Sequence, residues 1–284
     1  MSVTLLRTGP AGAPRVTILP GFMGGPRSVE ALVHHLPDAF TVRVVTLPGH
    51  GDRPFMPTDA TWPELMDAVA SEVAPRGAGA NELLVGYSMG GRVALDLATR
   101  LEDAFTHVIA VSADLGLADA AARASRVAED ETRATEIERD GLEAFVDRWQ
   151  ALPLFASQAR LPARTLDAQR RMRLANTEAG LAWALRHLGT GRMPDLRAPL
   201  GASSVAVTFA AGSLDAKFTK LAEEGARLAQ RGDWAAFHDV GHNVPLEAPK
   251  RLAHLVVERA TRGSSSRRDE ESTAALMREG RSTT

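Results

Sequence analysis

The sequence contains no cysteine. That absence removes disulfides, thiolate nucleophiles and Cys-based metal sites, and it leaves the compartment unspecified. Lysine is scarce: Lys217, Lys220 and Lys250 are the only ones, and every other basic residue that is not histidine is arginine. Tyrosine occurs once, as Tyr87, and aromatics make up 5% of the chain. No stretch approaches the roughly 20 apolar residues that a bilayer span needs. The N-terminus has one short apolar run and neither the long h-region nor the cleavage pattern of a signal peptide. The net charge of -2 gives no basic field to draw nucleic acid or anionic lipid. No cluster of histidines and carboxylates has metal-ligand spacing. The expectation is a cytoplasmic protein with no membrane insertion, no nucleic-acid partner, no metal and no other cofactor. Nothing in the sequence assigns an oligomeric state.

What is present is ordinary for a globular chain: 284 residues, 44% hydrophobic and 24% charged. This length suits one large domain or a core carrying an insert. Short β-branched runs at 16–19, 42–46, 83–85 and 108–112 each read as a buried strand, the first three running into Gly or Pro. Between them, 29–36, 62–73 and 90–101 carry helical spacing. Strands alternating with helices predict an α/β fold with a mostly parallel central sheet. The alternation stops after Ser112, and the sequence to about Leu188 is helical in character, rich in Ala, Arg and Glu. Strand pattern resumes at 203–210, followed by a helix over 217–231, a last strand near 234–238 and a closing helix over 249–261. A helical block between two sheet segments predicts a cap over the C-terminal ends of the strands, where open α/β sheets bind ligands. The expected divisions are a core in two parts, 1–115 and 196–262, a helical cap over 116–195 and a disordered tail over 263–284.

The strongest motif is Gly86-Tyr87-Ser88-Met89-Gly90, set between a predicted strand and a predicted helix. A strand that turns sharply into a helix forces the serine into a strained backbone and lifts its hydroxyl above the sheet, at the positive end of the helix. The flanking positions need glycine because a Cβ there would clash. A serine hydroxyl becomes reactive only when a base takes its proton. Among eight histidines, His242 in DVGHNVPLEAP stands out, since it follows the last predicted strand and precedes the last helix. Asp215 follows the strand at 203–210, which makes the order Ser, acid, His that a nucleophile elbow of this kind carries. Asp239 is the lesser candidate for the acid, being too close in sequence to His242 to orient it easily. His50, in LPGHG, is expected to order a loop at the rim of the site.

Stabilising a developing oxyanion takes two backbone N–H donors, one just after the nucleophile and one from an early strand–loop junction. Met89 supplies the first and Phe22, in PGFMGG, the second. The rival reading of 21–25 as a phosphate cradle lacks both the G-x-G-x-x-G spacing and a Walker lysine.

Taken together, GYSMGGR, LPGHG, FVDRWQALPLFASQ, the GTG at 189–191, DAKF and GHNVPLEAP resemble the bacterial 2-succinyl-6-hydroxy-2,4-cyclohexadiene-1-carboxylate synthases of menaquinone biosynthesis. The resemblance runs from about Val16 to about Ala260. It implies an α/β-hydrolase fold and a lyase whose serine acts as a base, releasing pyruvate from the enolpyruvyl precursor. It also implies a small-molecule substrate with several carboxylates. Arginine suits such a substrate, because its planar fork grips a carboxylate through two hydrogen bonds. By position Arg92, Arg126 and Arg173 match the family's substrate-binding arginines, Tyr87 and Trp149 match its pocket aromatics, and Lys217 falls beside the acid as in the family. Arg123 and Arg171 remain rivals of Arg126 and Arg173 respectively. Two features depart from the family: Pro20-Gly21 stands where His-Gly is usual, and GGPRSVEAL lacks the usual tryptophan. Neither change removes a backbone donor. The alternative function is a serine carboxylesterase, thioesterase or C–C bond hydrolase on the same scaffold, since fold is a weak guide to reaction. A non-catalytic binding protein ranks last, because such proteins have usually lost one of the three reactive residues.

Overall fold

Alternation with a period of two sorts the strand side chains onto two faces. The computed structural model describes residues 3–74 and 82–261. The tail expected to be disordered, 263–284, lies outside the described residues. Five strands form a parallel run: β2 (Arg15–Leu19), β3 (Thr41–Val45), β4 (Glu82–Tyr87), β5 (His107–Val111) and β6 (Ala206–Gly212). Parallel β7 (Arg231–Phe237) closes one edge and antiparallel β1 (Val3–Arg7) the other, in the order β1-β3-β2-β4-β5-β6-β7.

Val16, Ile18, Leu83, Val85, Ile109 and Val111 point to one face and pack with α1 (Glu30–His35) and α11 (249–261). Leu84, Val108, Ala110, Val207 and Phe209 point to the other face and pack with α2 (Trp62–Val73), α3 (Met89–Arg100), α8 (Arg197–Ala202) and α9 (Ala216–Leu228). Near-continuous burial of β2, β4, β5 and β6 is what a sheet covered on both sides requires.

Between β5 and α8 lie four α-helices: α4 (Ala120–Asp140), α5 (Leu142–Gln150), α6 (Ala163–Arg173) and α7 (Glu178–Leu188). Asp119 caps α4 by accepting from the Ala122 N–H at 2.7 Å. Ala134, Ile137, Phe145, Val146, Leu181 and Leu185 make a separate small core among α4, α5 and α7, joined by Met23 from the loop after β2. Arg186 on α7 bridges Glu131 and Glu138, one α4 face at i and i+7. Asn176 ties this block to the sheet: its Oδ1 accepts from the Gly51 N–H at 2.8 Å, and its Nδ2 donates to the Met23 carbonyl at 3.2 Å.

Differences from expectation are confined to the margins. β1 has no strong pattern in sequence; its residues are half-exposed, and only pairing with β3 makes it a strand. β7 starts at Arg231, ahead of the apolar run, because the parallel ladder to β6 extends over polar edge residues. β6 starts three residues late, since Ser203 ends α8. The short helix α10 (Val244–Glu247), with Pro245 in its first turn, was not expected.

Candidate active site

The strand order places the site. From β2 the chain passes to β3 on one side and then crosses to β4 on the other, so β2 and β4 are hydrogen-bonded neighbours whose loops diverge. Such a reversal opens a crevice at the C-terminal ends of the strands. The loop after β2 carries Phe22, and the turn after β4 carries Ser88.

Ser88 has φ 52° and ψ -109°, a left-handed backbone that is costly for a residue with a Cβ. Two glycines permit it. A Cβ on Gly86 would sit 2.3 Å from the Gly90 carbonyl oxygen, and one on Gly90 would sit 2.1 Å from that of Leu19. The Ser88 N–H donates to the Val111 carbonyl at 2.8 Å, and the Ser88 carbonyl accepts from the Arg92 N–H as α3 begins. The hydroxyl therefore stands at the N-terminus of α3.

His242 lies 3.0 Å from the Ser88 Oγ through Nε2, and 2.7 Å from the Asp215 Oδ2 through Nδ1. A carboxylate only accepts, so Nδ1 carries the proton and Nε2 turns a lone pair to the serine O–H. Asp215 also accepts from the Phe218 N–H at 3.3 Å as the N-cap of α9, which fixes its orientation. Asp239 is exposed and takes no part; its carbonyl accepts from Arg160. The His242 ring is walled by Phe218, Tyr87 and Phe155, with centroids at 4.6, 5.6 and 6.0 Å. The loop bearing it is held by residues that the sequence did not single out. The Ser112 hydroxyl donates to the His242 carbonyl at 2.9 Å, and the Glu247 carboxylate accepts from the Gly241 and Asn243 N–H groups. The available signal was an acid in the first turn of a helix, where a carboxylate readily captures free N–H groups.

The loop after β2 turns tightly, with the Gly24 N–H donating to the Gly21 carbonyl at 2.9 Å and Met23 at φ 61°. The Phe22 ring packs against Trp149, His50 and Phe145. His50 is fully buried and donates from Nδ1 to the Pro48 carbonyl at 3.1 Å. Burial lowers its pKa to about 4, so it stays neutral.

Phe22, Tyr87, Ser88, Met89, Arg92, Arg126, Trp149, Arg173, Lys217 and His242 all line one cavity of about 850 Å³; Asp215 sits behind His242. The wall holds eight arginine or lysine side chains against two acids, Glu30 and Asp114. Low-dielectric walls of one sign focus the field inside such a cleft.

The cations differ in how they are held. Arg173 is 4% exposed, lies over the Phe155 ring at 5.4 Å, and leaves one Nη buried without a hydrogen-bond partner. Among the described residues no carboxylate lies within ion-pair distance of it. Burial lowers its pKa to about 10, with Tyr87 opposing; burial in turn pushes the Tyr87 hydroxyl well above its ordinary range. Arg92 is buried and donates to the Leu188 carbonyl at 2.8 Å. Burial and then the neighbouring Arg126 lower its pKa to about 10, against Asp114 and Asp130. Both guanidiniums remain charged at neutral pH. Arg126 donates to Asp130 at 3.0 Å and Lys217 to Asp114 at 3.1 Å. Of the rival arginines, Arg123 is taken up by the carbonyls of Leu117 and Ala118 and does not line the cavity, whereas Arg171 does. The sequence did not point to Asp114 or Arg133. Among the described residues no group of His, Asp and Glu could hold a metal ion, and no helix is long and apolar enough to cross a membrane.

Comparison with known proteins shows the family. The model of the alpha/beta hydrolase family matches residues 18–255. The putative 2-succinyl-6-hydroxy-2,4-cyclohexadiene-1-carboxylate synthase of Bacillus subtilis (strain 168) is 32% identical over 256 residues, covering 88% of this chain and 91% of that protein. The 2-succinyl-6-hydroxy-2,4-cyclohexadiene-1-carboxylate synthase of Enterobacter sp. (strain 638) is 31% identical, covering 89% and 93%. The solved structure of MenH from S. aureus superimposes with a TM-score of 0.84 at 28% identity, covering 93% of this chain and 99% of that one. The chain is an enzyme of the α/β-hydrolase family and belongs, within it, to the family of the 2-succinyl-6-hydroxy-2,4-cyclohexadiene-1-carboxylate synthases.

Proposed function

We propose that this enzyme acts in the cytoplasm, in menaquinone biosynthesis. It eliminates pyruvate from 2-succinyl-5-enolpyruvyl-6-hydroxy-3-cyclohexene-1-carboxylate to give 2-succinyl-6-hydroxy-2,4-cyclohexadiene-1-carboxylate. Ser88, His242 and Asp215 serve as a catalytic triad. Residues 116–195 serve as a cap over a core made of 1–115 and 196–262. Tyr87, Arg92, Arg126, Trp149, Arg173 and Lys217 bind substrate. The observation that carries the reading is Arg173: a buried cation with no carboxylate partner, in the same cavity as a serine hydrogen-bonded to an imidazole. An uncompensated buried charge costs about 3–5 kcal/mol. A bound anionic group offsets that cost, and a substrate with several carboxylates supplies one.

The change in ring double bonds dictates the chemistry. The substrate has its alkene at carbon 3 and the product has alkenes at 2 and 4. The proton is therefore lost from carbon 2, beside the succinyl ketone. Ser88 Oγ takes it while passing its own proton to His242 Nε2, and Asp215 stabilises the imidazolium. The electron pair moves onto the ketone oxygen and returns through the ring, and the bond from carbon 5 to the enolpyruvyl oxygen breaks. The leaving enolate is protonated at its methylene carbon to become pyruvate, and the His242 imidazolium gives up its proton, which returns the base to its starting state. The N–H groups of Phe22 and Met89 serve the ketone oxygen as it becomes anionic. No covalent acyl-enzyme is required.

The purified enzyme should release pyruvate from the enolpyruvyl substrate. Ser88→Ala should lower kcat about 10³-fold, within the range for loss of a general base. A wild-type enzyme releasing no pyruvate above background overturns the lyase. A second reading, a serine carboxylesterase, thioesterase or C–C bond hydrolase, draws on the same 3.0 Å contact, since a hydroxyl polarised by imidazole also attacks acyl carbon. An acyl adduct on Ser88 during nitrophenyl-ester turnover, without pyruvate release, selects it.

A further inference from the structure

The segment 116–195 carries twelve arginines. Nine are engaged. Arg126, Arg133, Arg139, Arg148, Arg170 and Arg186 pair with carboxylates. Arg123, Arg160 and Arg192 donate to backbone carbonyls. Among the described residues, the remaining three, Arg164, Arg171 and Arg173, have neither kind of partner. All three belong to α6, and all three line the cavity. The fourth arginine of α6, Arg170, is bound by Glu143 and Asp147 of α5. Helix α6 thus satisfies the guanidinium facing its neighbouring helix and leaves open those facing the cavity.

Depth separates the three. Arg173 is 4% exposed, whereas Arg164 and Arg171 are exposed and lie at the rim. The 3₁₀ turn Pro26–Val29 packs against α6 and brings one more cation to the same cavity, the exposed Arg27. It likewise has no carboxylate partner among the described residues. Arg164 and Arg171, seven residues apart on α6, and Arg27, on the turn packed against that helix, line the same cavity as the buried Arg173. Unpaired exposed charges gain little from local contacts. Acting together at the mouth of a cleft, they raise the local concentration of an oppositely charged solute and speed association by 10–10³-fold.

We infer that Arg27, Arg164 and Arg171 form an encounter site, through which a small polyanion is drawn from solvent past α6 to Arg173. The substrate class rests on the proposed function, while the steering itself is testable apart from turnover. The three rim arginines act on approach and not in the bound complex.

The test compares wild type with the combined variant Arg27→Gln, Arg164→Gln, Arg171→Gln. In low salt the variant should lose about tenfold in kcat/KM for the enolpyruvyl substrate, at the lower end of the steering range, with kcat unchanged. Added NaCl should depress the wild type until the two converge. Replacing the same residues by lysine should restore most of kcat/KM, because steering reads charge and not the planar fork. The association rate of tricarballylate, a three-carboxylate probe followed by tryptophan fluorescence with Trp149 in the cavity wall, gives the same comparison without chemistry. If pyruvate release fails but tricarballylate still associates with a rim-dependent salt slope, the lyase falls and the encounter site stands. Equal salt slopes for wild type and the glutamine variant overturn the encounter site, as does failure of the lysine variant to recover.

Discussion

The corner at the ends of β2 and β4 and the helical block above it solve different problems with different materials. In the corner, backbone does the positioning. Ser88 is held by a strained turn, His242 by a loop stapled to Ser112 and Glu247, and Asp215 by the first turn of α9. The polar side-chain atoms of Ser88, His242 and Asp215 all have partners, and the imidazole is walled by three aromatic rings. In the helical block, long side chains do the positioning, and part of their hydrogen-bonding capacity is left open toward the cavity. Arg173 leaves a buried Nη unpaired. Under the proposed function the difference has a reason: a reactive group has to be aligned within tenths of an ångström before substrate arrives, whereas a recognition group must keep free donors for it.

The contrast can be broken most directly at Arg173. Arg173→Met removes the open cation and keeps much of its volume. Under the proposed function kcat/KM for pyruvate release should fall about 30-fold or more, from the 2–5 kcal/mol that loss of one buried charged partner costs. The melting temperature should hold or rise, since the free enzyme no longer buries an unpaired charge. A lower melting temperature with kcat/KM intact would make Arg173 a structural cation and erase the distinction between the two regions.

His50 sharpens the contrast from the corner side. Its pKa is lowered to about 4 from 6.5, so the unfolded chain binds a proton that the folded one refuses between those values. Stability is full above pH 6.5 and falls as pH drops toward 4, by up to about 3 kcal/mol at 1.36 kcal/mol per pKa unit. Chemical denaturation from pH 7 to 4 should show this loss, and His50→Gln should flatten it. An unchanged slope in the variant would mean that other groups govern the acid limb.

The smallest effect tests how far the helical block is independent of the sheet. Asp119→Ala removes the N-cap of α4 and should cost about 1 kcal/mol. Hydrogen exchange should rise across α4 and α7, which share a small core, and stay unchanged in β4 and β5. Equal loosening of the central strands would show that the two regions unfold as one.

Sequence alone made legible what is local in the chain. The elbow glycines, the serine between them and the late Asp and His declare themselves through turn chemistry and order. A strained strand-to-helix turn admits few residue types, and buried parallel strands read as continuous apolar runs. Only the tertiary structure decided which of many arginines reach the cavity, that Arg126 and not Arg123 is one of them, that Lys217 is tied to Asp114, and that β1 is a strand at all. Those outcomes depend on partners far away in the chain. A long flexible cation reads the same whether its guanidinium meets a carbonyl, a carboxylate or an empty cavity, and folding alone determines which of these it meets.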